Sequence, residues 1–205
     1  MPDQDINNWP DQPEMVHHMP FLEEVAAKCS TIIEIGCGHG NGSTRAFERG
    51  LKRTTHPDGA RRFLSVDDNV NKPDVKPTIE FWRKVSGDSR AQETRKEVRL
   101  ALERVADLIY IDTDHIYEQM EVELALWSAL ADSDTLFLAH DVYMFGVYNH
   151  MTDAIIDFCK ASPNWEYVEL TKESHGMGMM RHRQGQWADP ELVQSLKLYD
   201  GGWNG

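Results

Sequence analysis

Four short apolar runs recur along the chain, each bounded by polar or turn residues: TIIEI (31–35), RFLSV (62–66), DLIYI (107–111) and TLFLA (135–139). Runs this short and this apolar predict strands buried on both faces, as in a parallel sheet. Longer stretches between them carry helical spacing. MPFLEEVAAKC (19–29) reads as a short helix, STRAFERGLKR (43–53) as the helix after the first strand, and RAQETRKEVRLALERV (90–105) as the one before the strand at 107. In YEQMEVELALWSAL (117–130), Met120, Val122, Leu124, Leu126, Trp127 and Leu130 turn toward packing. Val147, Met151, Ile155 and Cys159 recur every four residues and predict one face of a helix over 147–159. DPELVQSLKLY (189–199) offers Asp189 as N-cap and Pro190 in the first turn.

Near the C-terminus, WEYVEL (165–170) and GMGMMRHR (176–183) predict an antiparallel strand pair, with Met177, Met179 and Met180 in the core. The alternation as a whole predicts an α/β fold: a Rossmann-like, doubly wound, mostly parallel sheet closed by that C-terminal pair. Residues 54–60 and 71–77 are loops. Residues 1–18 read as an N-terminal arm, 19–185 as the main domain and 186–205 as a C-terminal helix and tail.

Charge narrows the partners. Lys and Arg number 21 against 34 Asp and Glu, a net charge of -13. Such a surface repels phosphate backbones and anionic lipid, so the expectation is no nucleic acid and no membrane. The three cysteines, Cys29, Cys37 and Cys159, form no metal pair and no disulfide framework, which suits a cytoplasmic setting. The opening MPDQDINNWPDQPE has neither the basic nor the apolar region of a signal peptide.

The first predicted strand runs into GCGHGNGST, with glycines at 36, 38, 40 and 42. A glycine-rich turn between strand and helix lets a ligand approach the backbone, and the helix beginning near Ser43 offers free N–H groups to a negative group. The dinucleotide fingerprint G-x-G-x-x-G fails, because the sixth position from Gly36 is Asn41 and from Gly38 is Ser43. Glu34 followed by Gly36, Gly38 and Gly40 resembles the first motif of class I S-adenosylmethionine-dependent methyltransferases. The resemblance implies a ribose-binding carboxylate at the end of the second strand. Asp67, directly after Val66, is the better candidate and Asp68 the second. It also implies adenine contacts from Gly87, Asp88 and Ser89; Asp88 reads equally as an N-cap for the helix that follows.

Two further strands end in titratable residues: IDTDHIYE supplies Asp112, Asp114 and His115, and AHDVY supplies His140 and Asp141. Strand C-termini in such a sheet converge on the ligand crevice. With "SHGMGMMRHR", these segments resemble the small methyltransferases typified by "IDGDHSYE…FHD", which include bacterial natural-product and sugar O-methyltransferases. The likeness covers residues 19 to 182, and Thr113 stands where glycine is usual. It implies S-adenosylmethionine as donor and a small-molecule acceptor. It also implies a divalent metal (Mg or Mn) on Asp112, Asp141 and His140. His115 is then the general base, with Asp112 the second catalytic residue and itself beside the donor. Imidazole suits Mn²⁺, Fe²⁺ or Zn²⁺ better than Mg²⁺, and His140 standing back from the ion is the alternative. His115 and Asp114 also read as a turn and helix cap.

His17, His18 and Met19 are candidates for the substrate mouth. Tyr143, Tyr148 and His150 are candidates for the acceptor pocket, and His175 for the site or a hairpin cap. A cofactor-binding protein without methyl transfer, and an assembly of several copies, remain open at this stage.

Overall fold

The computed structural model describes residues 15–68, 79–144, 147, 148 and 150–195. The loop expected at 71–77, most of the N-terminal arm and the tail after Ser195 lie outside the described residues. Nine strands and six α-helices are found in this part of the chain. They are β1 (Thr31–Ile35), β2 (Arg62–Asp67), β3 (Trp82–Ser86), β4 (Leu108–Ile111), β5 (Leu136–His140), β6 (Tyr143–Met144), β7 (Val147–Tyr148), β8 (Trp165–Thr171) and β9 (Met177–His182). The helices are α1 (Met19–Ala27), α2 (Ser43–Arg53), α3 (Gln92–Leu102), α4 (Tyr117–Trp127), α5 (His150–Ala161) and α6 (Pro190–Ser195).

Seven strands form one sheet in the order β3-β2-β1-β4-β5-β9-β8. The first five are parallel, and β9 runs antiparallel to both β5 and β8. The doubly wound sheet and its antiparallel C-terminal pair are therefore as the sequence predicts. Alternate residues of each strand feed opposite cores. Ile32, Phe63, Leu108 and Tyr110 meet Leu22, Phe47 and Leu51 of α1 and α2 on one face. Ile33, Leu64, Ile109 and Phe137 meet Val98, Leu124, Trp127 and Ile155 of α3, α4 and α5 on the other. Both faces are dry, which is why the strands read as unbroken apolar runs.

Three local expectations are corrected. The helix predicted from 147 starts at His150, and Val147 and Tyr148 instead form β7, paired with β6. The four-residue recurrence holds only from Met151 and Ile155, both buried; Val147 is 62% exposed. Aromatic pairing explains the switch: the Tyr143 and Tyr148 rings meet edge to face at 5.1 Å, beneath the Lys172 ammonium. The helix predicted over 90–105 is shorter, Gln92–Leu102, and ends where Glu103 turns left-handed (φ 64°) and donates its N–H to Arg99. Val122 lies on the outer side of α4, not in the packing face.

Register positions the site. Ile35 pairs with Val66 and with Ile111, so Gly36, Asp67 and Asp112 leave the sheet at one edge. Asp141 follows β5 at that same edge.

Candidate active site

The glycine loop is dictated by how close β4 lies. Gly36 donates its N–H to Val66 at 2.8 Å, and Asp112 donates to Ile35 at 2.8 Å. A Cβ at Gly36 would sit 1.8 Å from the Asp112 carbonyl oxygen, and its φ of 86° is one that side chains avoid. Glu34 lies fully buried beneath the loop. Its carboxylate accepts from the Ser43 hydroxyl at 2.7 Å, Thr44 at 2.8 Å and Ser65 at 2.6 Å, and Trp82 Nε1 donates to Ser65 at 2.9 Å. Burial pushes this carboxyl up to about 7 against the pull of those hydroxyls. Glu34 therefore pins the start of α2. Like Gly40, it stands outside the lining of the adjoining cleft.

That cleft holds about 400 Å³. Gly36, Gly38 and Ser43 line one end. Asp67 and Asp68 follow, Asp67 buried and accepting the Gly38 N–H at 2.9 Å, Asp68 exposed. Gly87, Asp88, Ser89 and Arg90 form the next wall. Asp88 is not the cap of α3, whose N-cap is Ala91. Its carboxylate instead takes the Arg90 N–H at 2.8 Å and the Arg90 guanidinium at 3.0 Å twice, which holds it below the usual range. The far wall includes Thr113 and Gln119. Behind it Glu123, buried, receives Ser89 Oγ, Gln119 Nε2 and Thr113 Oγ1. Burial raises the Glu123 carboxyl while those three hydrogen bonds pull it back.

At the β4 and β5 ends the titratable residues meet. His115 Nε2 lies 2.9 Å from Asp141 Oδ2 and 3.8 Å from Asp112 Oδ1. His140 Nδ1 lies 3.2 Å from Asp141 and 3.6 Å from Asp112. His175 Nδ1 reaches Asp141 Oδ1 at 3.2 Å, and Tyr110 donates its hydroxyl to Asp112 at 3.3 Å. Hydrogen bonds and charge from Asp112 and Asp141 push the His115 imidazole up to about 9. Burial draws His140 down, but the same two carboxylates outweigh it.

The donor atoms of Asp112, His115 and Asp141 lie within 4.8 Å of one another. His115 Nε2 and both ring nitrogens of His140 are buried without a well-directed hydrogen bond. Imidazole nitrogens that approach two carboxylates without a well-directed hydrogen bond fit a divalent cation, and a mixed nitrogen–oxygen donor set favours Mn²⁺, Fe²⁺ or Zn²⁺ over Mg²⁺. That group contains His115; His140, 2% exposed, also approaches both carboxylates.

Several of the candidates stand outside the lining of this cleft. His18 is wholly buried, donating Nε2–H to the Ser174 carbonyl at 3.1 Å with its ring edge on His140. Burial lowers it to about 4. Met19 is core, and Tyr143, Tyr148 and His150 do not line the cleft. Asp114 lines it. The sequence reading missed Gln119, Cys37 and Arg90 in the lining. For Gln119 the signal was its spacing, four residues before Glu123 on one helix.

A family model described as a methyltransferase domain matches residues 33–142. No curated protein matches the sequence. Among solved structures, the S-adenosylhomocysteine-bound methyltransferase PaMTH1 of Podospora anserina is 16% identical with TM-score 0.56, covering 86% of this chain and 83% of its own. CalS11, a TDP-rhamnose 3'-O-methyltransferase of calicheamicin biosynthesis, is 14% identical with TM-score 0.59, covering 90% of each chain. MycE of the mycinamycin pathway, solved with Mg and S-adenosylhomocysteine, is 15% identical with TM-score 0.56. The match to MycE covers 81% of this chain and 48% of that one, so the chain spans about half its length. Because the family model takes in more than half of the sequence, from the second residue of β1's apolar core to the residue after Asp141, the chain belongs to the methyltransferase-domain family.

Proposed function

We propose that the protein methylates an oxygen of a small-molecule acceptor, with a divalent cation held at the ends of β4 and β5. The observation that carries this reading is the meeting of Asp112, Asp141 and His115 beside the glycine-loop cleft. CalS11 acts on a sugar oxygen and MycE was crystallised with Mg, which supports the same chemistry here.

Gly36 and Gly38 would take the donor's methionine end, Asp67 its ribose, and the Gly87–Arg90 wall its base. The acceptor oxygen attacks the sulfonium methyl carbon. The sulfur–methyl bond breaks, its electron pair returns to sulfur, and the hydroxyl proton passes to a base. A bound cation supplies a lowered pKa for the acceptor hydroxyl. Asp112 and Asp141 would hold it, and His115, left neutral where the cation takes over the two carboxylates, would take the proton. A second reading makes His115 the third ligand, favoured by its 2.9 Å approach to Asp141. Metal affinity separates the two: His115→Ala leaves it unchanged under the first and lowers it under the second.

Net charge of -13 argues for a small acceptor rather than nucleic acid. Among the described residues no helix is long and apolar enough to cross a membrane. Three free cysteines suit a reducing cytoplasm. The test is methyl transfer from labelled S-adenosylmethionine to a panel of phenols and sugars, with and without chelator. Transfer to oxygen that chelator stops supports the proposal. Chelator-resistant transfer removes the metal, and binding without transfer to any acceptor favours an accessory role.

A further inference from the structure

Gln119 lines the cleft and is given no role by the chemistry above. Gln119 stands in the first turn of α4, 6% exposed and lining the cleft. Its Nε2 lies 2.6 Å from Glu123 Oε1 and 3.1 Å from Ser89 Oγ, so both amide N–H bonds are engaged. The carboxylate fixes which way the amide turns, since an oxygen at that distance accepts and the nitrogen must face it. Glu123 is itself locked by Ser89 Oγ at 2.5 Å and Thr113 Oγ1 at 2.8 Å. The Ser89 backbone is anchored by Trp127, whose Nε1 donates to its carbonyl at 3.0 Å. Gln119 Oε1 accepts no hydrogen bond among the described residues, and it is the one polar atom of that side chain left to a ligand.

We propose that Gln119 is the residue that selects the adenine base of the donor, its Oε1 accepting an N–H of the 6-amino group. This rests on the methyl-donor reading of the cleft. With the ribose on Asp67, the base runs along the Gly87–Arg90 wall toward Gln119. Asp88, the acceptor expected from sequence in that wall, is exposed and already taken by Arg90. Gln119 is buried, so a base that offers it no donor leaves its oxygen unpaired, and that penalty is what discriminates. A base with a 6-carbonyl in place of the 6-amino group sets two acceptors against each other.

Calorimetric titration of the full chain with S-adenosylhomocysteine and with S-inosylhomocysteine tests this. The unaltered protein is expected to prefer the adenosyl compound by about tenfold or more. Gln119→Leu should bring the ratio near one, chiefly by weakening the adenosyl compound. Glu123→Gln offers the amide a donor and lets it turn its N–H toward the base, so the ratio should fall toward or below one there too. Equal affinities in the unaltered protein overturn the proposal whether or not the variants fold. A tenfold preference that survives in both variants overturns it as well and leaves the cofactor site standing. No binding of S-adenosylhomocysteine to the unaltered protein overturns both this and the donor site.

Discussion

Glu34 offers a quantitative test of how the glycine loop is held. It is a fully buried carboxyl with three hydroxyl donors among the described residues. Burial raises it from an ordinary 4.5 to about 7. A carboxyl raised on folding binds its proton more tightly in the native state. Its contribution is therefore fully present below pH 4.5 and is lost as pH rises through about 7. The gap of roughly 2.5 units corresponds to about 3 kcal/mol at about 1.36 kcal/mol per unit. Glu34→Gln removes the titration; at pH 5, where Glu34 carries its proton, the amide NH2 replaces a hydroxyl oxygen that can still accept, leaving one acceptor fewer for the three hydroxyls. That costs about 1–2 kcal/mol at pH 5. Urea unfolding of both proteins from pH 4.5 to 8 measures the difference. The advantage of Glu34 over Gln should shrink with pH by about 3 kcal/mol and change sign near neutrality. Parallel curves, differing by a constant amount across that range, would refute the reasoning.

Gly36→Ala places a methyl group 1.8 Å from the Asp112 carbonyl, so the β1–β4 edge must open. It should abolish S-adenosylhomocysteine binding and lower the thermal midpoint, and an alanine variant with native midpoint and binding contradicts the loop geometry. Asp112→Ala and Asp141→Ala should each eliminate chelator-sensitive turnover while keeping donor affinity within about threefold, measured by calorimetry and methyl transfer. Trp187, 1% exposed and donating Nε1–H to the Asp134 carbonyl at 2.9 Å, anchors the segment before α6. Trp187→Ala should cost about 3–5 kcal/mol in urea unfolding, and a loss under about 1 kcal/mol would show that the segment does not support the core.

The sheet was legible because its strands are buried on both faces, so the apolar runs marked them without reference to period. The cleft was legible because strand ends in a parallel sheet share one edge: Asp67, Asp112 and Asp141 needed only correct strand boundaries to be brought together. Position along the chain does not reveal depth. Glu34 and His18 are polar residues that the fold sinks into the interior, and only their partners, Ser65 from β2 and Ser174 from the β8–β9 turn, show why. The β6–β7 pair escaped because a four-residue recurrence fits a helix, and the opposing contact of Tyr143 with Tyr148 is nonlocal to that pattern. Gln119 escaped because helices were read through their apolar positions, whereas its role follows from a buried hydrogen-bond network joining Ser89 to α4.

Calorimetric titration of the unaltered protein and of Asp67→Ala with S-adenosylhomocysteine addresses the donor site itself. One bound ligand per chain at about micromolar affinity is expected for the unaltered protein, with the alanine variant weaker by about tenfold or more as the ribose hydroxyls lose their acceptor. Absence of heat up to about millimolar ligand, or the same affinity in both proteins, would contradict the assignment of that cleft to the methyl donor.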